Sequence, residues 1–295
     1  MTIIWGTNFS VIKSALRELD PQAFNAMRMA VASLAFLVVM AVARLFPSAS
    51  GSFHSAARVT TVEWVQLAAL GLVGHVLYQF CFIGGLARTS VANSSLMLAT
   101  TPVVIMVITA ALRYERVTRM HWFGAAVSMA GIYLVVGRGF ALGGERLLGD
   151  LLMFGAVCCW AVYTLGARPL MARHSPVGVT GLSMALGTVV YVGAVWSKVT
   201  AADWAHVSPW TYGLIVYSAL FALSIAYTIW YVAVRQIGSA RTSAYSNLIP
   251  VVAMGTAVLF LHEPLEIRKV LGAAAVLAGV ALTRAGSAPT IPAEE

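Results

Sequence analysis

Charge is scarce in this chain, and negative charge is scarcest. Of 295 residues 10% are charged, with 11 Asp and Glu against 19 Lys and Arg. Soluble domains carry about 25%, so this chain has too little polar surface to coat a water-soluble fold. Every acid (Glu18, Asp20, Glu63, Glu115, Glu145, Asp150, Asp203, Glu263, Glu266, Glu294 and Glu295) lies at the end of an apolar run, in a connection or in the tail. No carboxylate falls where a bilayer midplane would be. That argues against an embedded Asp or Glu as proton carrier and favours facilitated movement or coupling through another group. The three cysteines, Cys81, Cys158 and Cys159, sit within apolar runs without ligand spacing. They read as small core residues, so neither a disulfide framework nor a metal centre is expected. The basic residues form no block. The net charge of +8 therefore reads as topology signal and lipid attraction rather than nucleic-acid binding. No charged leader precedes the first apolar run, so no cleavable signal peptide is expected.

What the chain does have is apolar length: 60% hydrophobic residues and a mean hydropathy of +0.84. A hydrocarbon core needs about 20 apolar residues per helix. On that measure about ten spans emerge, at 2–18, 22–46, 63–87, 91–113, 119–137, 149–172, 176–198, 209–235, 240–261 and 267–285. No alternation persists long enough for a barrel. Backbone groups in lipid need internal partners, so the expected fold class is an all-α integral membrane protein.

The spans repeat. Thr101-Pro102-Val103-Val104 followed by Glu115, Gly124 and Gly131 returns as Ile249-Pro250-Val251-Val252 followed by Glu263, Gly272 and Gly279, displaced throughout by 148 residues. Trp5 and Lys13 return as Trp160 and Arg168, displaced by 155. Five spans per copy is odd, so the second copy enters from the opposite face. The expectation is two inverted five-helix repeats around a central cavity, 1–137 and 149–285, with a disordered tail over 286–295. Such repeats often enclose a solute pathway opened alternately to each side. A count of basic residues, ten on one side against seven on the other, favours both termini in the cytoplasm.

These motifs resemble the EamA-type branch of the drug/metabolite transporter superfamily. The residues are Trp5-Gly6-Thr7-Asn8-Phe9 with Lys13, Pro21 with Arg28, and Pro102 with Arg113-Tyr114-Glu115-Arg116 leading into Gly124 and Gly131. In the second half they are Pro250 and Leu261-His262-Glu263-Pro264 leading into Gly272 and Gly279. The whole chain looks like the YddG-type exporters of aromatic amino acids within that superfamily. The resemblance implies a cavity lined by helices 1, 3, 4 and 6, 8, 9, with helices 5 and 10 as peripheral supports. It also implies a multi-pass location in a bacterial inner membrane.

Within that frame the candidate substrate-binding residues are Asn8, His75, Tyr78, Gln79, Ser95, Trp160, Tyr163, Tyr227, Tyr231, Ser243 and Asn247. The rings can enclose an apolar or aromatic solute and still offer a polar tip; packing alone is the plainer account. His75 reads either as a proton site or as a neutral, hydrogen-bonded imidazole. The polar groups on helices 1, 4 and 9 should face inward, where they bind substrate or simply join helices. Pro102 and Pro250 remove donors inside helices 4 and 9 and read as kinks or hinges. Trp64, Trp122, Trp204 and Trp210 read as interface anchors. Arg28 and Arg168 read as snorkelling cations, and Glu115 and Glu263 as caps on helices 5 and 10. An intramembrane enzyme is the alternative of another class. His262-Glu263 has no second histidine at zincin spacing, and Gly181-Leu182-Ser183-Met184-Ala185 only approximates a nucleophile elbow. The expected function is export of small amphipathic metabolites, with aromatic amino acids leading and other amino acids or organic cations as alternatives. The expected partners are that small-molecule substrate and the lipid bilayer. No cofactor and no enzyme activity are expected, and a monomer suffices.

Overall fold

The computed structural model describes residues 1–46, 53, 57–111, 118–136, 145–237, 248–264 and 266–285. Among them every regular element is helical. Helix starts follow local chemistry. Asp20-Pro21, Ser175-Pro176 and Ser208-Pro209 each place a capping oxygen before a proline whose missing N–H would be unpaired there anyway. Asp20 thus caps Gln22 and Ala23 at the head of α2 (Pro21–Ala43), Ser175 caps Gly178 in α7 (Pro176–Ala194), and Ser208 caps Thr211 in the helix that starts at Pro209. Thr60 and Glu63 form a reciprocal capping box before the helix that starts at Thr61.

The remaining helices are α1 (Thr2–Ala15), α5 (Arg119–Val136), α6 (Glu145–Arg173), α9 (Ile249–Leu261) and α10 (Ile267–Ala285). Two helices are not uniform. The α3 run is Thr61–Gly71, a π-helical segment Leu72–Leu77, then Tyr78–Arg88. The α8 run is Pro209–Tyr217, a π-helical segment Ser218–Ile225, then Ala226–Ile237. Hydropathy cannot see such wide turns, which often mark functional sites. α4 is also divided, into Val91–Leu98 and Thr101–Ala111.

Several boundaries differ from expectation. α6 begins at Glu145 rather than 149, so the connection between halves is shorter than composition implied. α7 stops at Ala194, and a short helix, Trp196–Ala201, follows. Pro102 and Pro250 lie in the first turns of Thr101–Ala111 and α9 rather than mid-helix. Pro102 cannot donate to the Leu98 carbonyl, and the Thr101 hydroxyl donates to it instead at 2.6 Å. Among the described residues, the proline inside a continuous helix is Pro169 in α6. The tail 286–295, Glu115, Ser243 and Asn247 lie outside the described residues.

Five described helices (Pro21–Ala43, Thr61–Arg88, Glu145–Arg173, Pro176–Ala194 and Pro209–Gln236) are long and apolar enough to cross a membrane, with shorter apolar helices beside them. Large apolar side chains such as Leu34, Val38, Val189, Leu259 and Phe260 face outward, while Asn25, Arg28, His75, Gln79, Ser183 and Ser218 are buried. That is the order expected when the solvent is lipid. The three cysteines are free and half-buried, rather than the core residues anticipated.

Matched positions of the two halves meet one another. Ser33 hydrogen-bonds Thr188, 155 residues on, at 2.8 Å. The Ser128 hydroxyl donates to the Val276 carbonyl, 148 residues on, at 3.3 Å. A Cβ added at Gly131 would stand 2.8 Å from the Gly272 carbonyl, and one at Gly279 would stand 2.5 Å from the Gly124 carbonyl. The small faces of α5 and α10 therefore pack backbone to backbone, as lipid-embedded helices do when no hydrophobic force draws them together. Around this pair Leu96, Val103, Ala273, Val276 and Val280 form a small core separate from the main one.

Candidate functional site

The main core is aromatic, and Trp160 on α6 is its hub. Its ring lies 5.3 Å from Tyr78, 5.3 Å from Tyr227, 5.9 Å from Tyr163, 6.2 Å from Trp5, 6.4 Å from Trp230 and 6.5 Å from Tyr231. Tyr78 stacks on Phe82, which meets Phe9 edge-on. The rings come from α1, α3, α6 and α8, two helices from each half of the chain. Trp64, Trp122 and Trp210 are exposed instead, as anchors at span ends would be.

The π-helical segments help to build this cluster. Each ends just before a ring-bearing turn, at Tyr78 and at Ala226-Tyr227. Within the first, Gly74 leaves room for the Tyr163 ring, which an added Cβ would overlap. His75 is fully buried beside it; its Nε2 lies 3.2 Å from the Tyr163 hydroxyl and 3.3 Å from the Ser183 hydroxyl. His75 Nδ1, Trp230 Nε1 and Gln79 Nε2 have no hydrogen-bond partner. Buried polar atoms are seldom left so, and such atoms beside rings can meet a solute.

The structure thus brings together His75, Tyr78, Trp160, Tyr163, Tyr227 and Tyr231, with Gln79 adjoining through Arg28. Asn8 is buried on α1 with its Oδ1 unpartnered, next to Phe9 but outside the ring contacts. Ser95 is buried, and its hydroxyl donates back to the Ala92 carbonyl at 3.0 Å, an intrahelical contact. Trp5 and Trp230, which are not among the candidate binding residues, also join the cluster; the signal for Trp5 was its spacing to Trp160, and for Trp230 its place beside Tyr227 and Tyr231 on one helix.

Arg28 corrects the sequence reading outright. It does not snorkel: it is 1% exposed, on α2 about 10 Å along the axis from Pro21. Its Nε donates to Asn25 Oδ1 at 2.7 Å, Nη1 to Ser218 Oγ at 3.0 Å and Nη2 to Gln79 Oε1 at 2.6 Å. Arg168 is exposed, as expected.

One end of the bundle is latched across the two halves. Arg88 pairs with Glu145 at 2.8 Å, and the Thr89 hydroxyl donates to Asp150 at 2.8 Å. Lys13 Nζ caps the end of α3 through the carbonyls of Leu86 (2.8 Å) and Thr89 (2.7 Å). At the close of α9, His262 adopts a left-handed φ of 55°, which histidine tolerates at modest cost in a helix C-cap. The turn is followed by Glu263, which accepts from the Val91 N–H at 3.0 Å. Glu263 therefore caps α4, not α10. Glu263→Ala leaves that N–H unpaired and is expected to cost about 1 kcal/mol, read as a lower melting temperature in detergent. Nearby, Glu18 accepts from the backbone and hydroxyl of Ser208, and these bonds hold its carboxyl below the usual range. At the opposite end Glu63 meets Arg173 at 2.9 Å and His174 at 3.1 Å. No cluster of metal-ligating side chains occurs among the described residues.

Known proteins share this plan. A transporter of Bacillus subtilis, "Uncharacterized transporter YyaM", is 26% identical over 97% of this chain and 91% of its own. An uncharacterized transporter of Archaeoglobus fulgidus is 28% identical over 96% and 94%. A "Probable terminal-alkyne amino-acid exporter" of Streptantibioticus cattleyicolor is 25% identical over 95% and 89%. One crystal structure superposes with a TM-score of 0.68 at 18% identity, covering 96% of this chain and 94% of that one, which shows the shared fold. The EamA-like transporter family matches residues 1–137 and again 147–285. With both halves matched, the chain belongs to the EamA-like transporter family and is a multi-pass membrane transporter.

Proposed function

We propose that the protein exports small amphipathic metabolites, aromatic amino acids first among them, by alternating access between two inverted five-helix repeats. The observation that carries this reading is the buried ring cluster shared by α1, α3, α6 and α8, with unpartnered polar atoms at its edge. Rings of that kind recognise an aromatic or apolar side chain. The relative named as an amino-acid exporter is in keeping with an amino-acid substrate. The two halves join at a latch of Arg88, Thr89, Glu145, Asp150 and Glu263. In our reading this is the outer gate, closed, with both termini in the cytoplasm of a bacterial inner membrane. Opening it requires the halves to rock about the segments that start near Pro102 and Pro250. His75 holds Tyr163 and Ser183 as a neutral imidazole, and no cofactor or second copy is needed. Export of organic cations is the weaker reading, because the charge buried beside the cluster is positive.

The test is flux in liposomes carrying the full chain, with labelled phenylalanine and tryptophan and with leucine and a quaternary amine as comparators. Saturable movement of the aromatic amino acids, exceeding the comparators, is expected. No movement of either aromatic amino acid above empty liposomes removes the reading.

A further inference from the structure

We infer that Arg28 and Gln79 form an anion-binding end to the ring cluster, so that the pathway selects solutes bearing a carboxylate. The inference rests on the proposed pathway and deepens it by naming the group that must be present on the solute.

The argument starts from an unbalanced charge. Arginine stays protonated in proteins, and Arg28 is 1% exposed. Its hydrogen-bond acceptors, Asn25, Ser218 and Gln79, are all neutral. No carboxylate pairs with it among the described residues. A buried charge with no counter-ion costs several kcal/mol, and a neutral side chain could join α2, α3 and α8 without that cost. Something other than the fold must benefit.

The donors left over say what it is. The guanidinium has five N–H groups, and the three contacts above use three. Gln79, fully buried, spends its Oε1 on Arg28 and leaves its amide Nε2 with no acceptor. Among the described residues, two charged donors of Arg28 and one neutral donor of the adjoining Gln79 thus have no oxygen to receive them. A carboxylate supplies two oxygens in the planar geometry that a guanidinium fits. Phe24 and Phe82 stand against the guanidinium at 5.8 and 6.0 Å and keep water from it. Phe82 stacks on Tyr78, which lies 5.3 Å from Trp160. A solute with its carboxylate on Arg28 therefore extends its apolar end toward the Trp160 rings. Polar groups on helices 1, 4 and 9, the anchors expected from sequence, are not required.

The test separates ring from charge with three probes that share one ring: 3-phenylpropionate, phenethylamine and phenylalaninamide. Each is titrated against the purified full chain in detergent, and the rise in melting temperature gives an apparent affinity. The acid is expected to bind about tenfold or more tightly than the amine or the amide. Arg28→Gln is expected to bring the three within about threefold, and Arg28→Lys to keep part of the preference, since it keeps the charge but loses the fork. If Arg28→Gln does not fold, Gln79→Leu, expected to lower the acid preference several-fold, takes its place. A merely structural arginine would lower the melting temperature of every variant without changing the ratio between probes. Equal binding of acid and amine by the unaltered chain, or no stabilisation by the acid, overturns the inference. Acid-selective binding with flux of neither phenylalanine nor tryptophan in liposomes leaves the anchor standing and removes the proposed function instead.

Discussion

Trp160→Ala is expected to lower aromatic amino-acid flux at least tenfold and to lower stability as well. The indole touches six other rings, and a ring pair is worth about 0.5–1.5 kcal/mol beyond the area it buries. Losing one such contact to a bound solute, together with the apolar area the indole would cover, worth about 1.5–3 kcal/mol for a large side chain, exceeds the 1.4 kcal/mol or so that corresponds to tenfold. The cavity left by a buried tryptophan adds about 3 kcal/mol or more of destabilisation. Trp210→Ala is the control: Trp210 is 71% exposed, and its loss should leave both readouts where they were. Flux of labelled tryptophan in liposomes and melting in detergent give the two measurements. Unchanged flux in a folded Trp160→Ala protein means that the rings do not hold the solute.

Gly279→Leu should unfold or separate the α5–α10 pair. A Cβ there meets the backbone and hydroxyl of Ser128 and stands 2.5 Å from the Gly124 carbonyl; the hydroxyl can turn away, but the two backbone groups cannot. Overpacking a fitted core costs about 1–3 kcal/mol and sometimes more; two backbone groups of α5 in the way put this change at about 3 kcal/mol or above. Gly131→Leu faces the Val276 N–H at 2.7 Å and the Gly272 carbonyl at 2.8 Å, so its effect should be nearly the same. Gly255, with nothing within 4 Å, should accept leucine without loss. Melting in detergent orders the three variants. A Gly279→Leu protein as stable as the Gly255→Leu one would show that close backbone approach does not hold this pair.

The two expectations differ in how far they could be read in advance. The repeat of Gly124 and Gly131 as Gly272 and Gly279 is visible in the chain, because small residues at helical spacing in lipid have one main use. What they pack against is not visible: each copy turned out to face the other. The rings divide in the same way. Trp160 repeats Trp5, whereas Tyr163 stands where the first copy has Asn8; even a repeated tryptophan can anchor an interface or fill a core. Trp122 and Trp210 took the first course and Trp160 the second.

The class of molecule is legible in the chain alone. Apolar length with few charges admits only helices in lipid, and duplicated motifs fix which helices correspond. Those properties are local or periodic, so they survive in one dimension. Where the polar groups end follows instead from how the helices pack. The π-helical turns before Tyr78 and Tyr227 depend on how α3 and α8 lie against their neighbours, and hydropathy carries no trace of them. Glu263 capped α4 because the left-handed turn at His262 brought it beside Val91. Arg28 went inward because Asn25, Gln79 and Ser218, drawn from three helices, were there to receive it. A cation near a helix end is free to snorkel only if nothing inside the bundle offers it better acceptors, and that depends on residues far away in the chain.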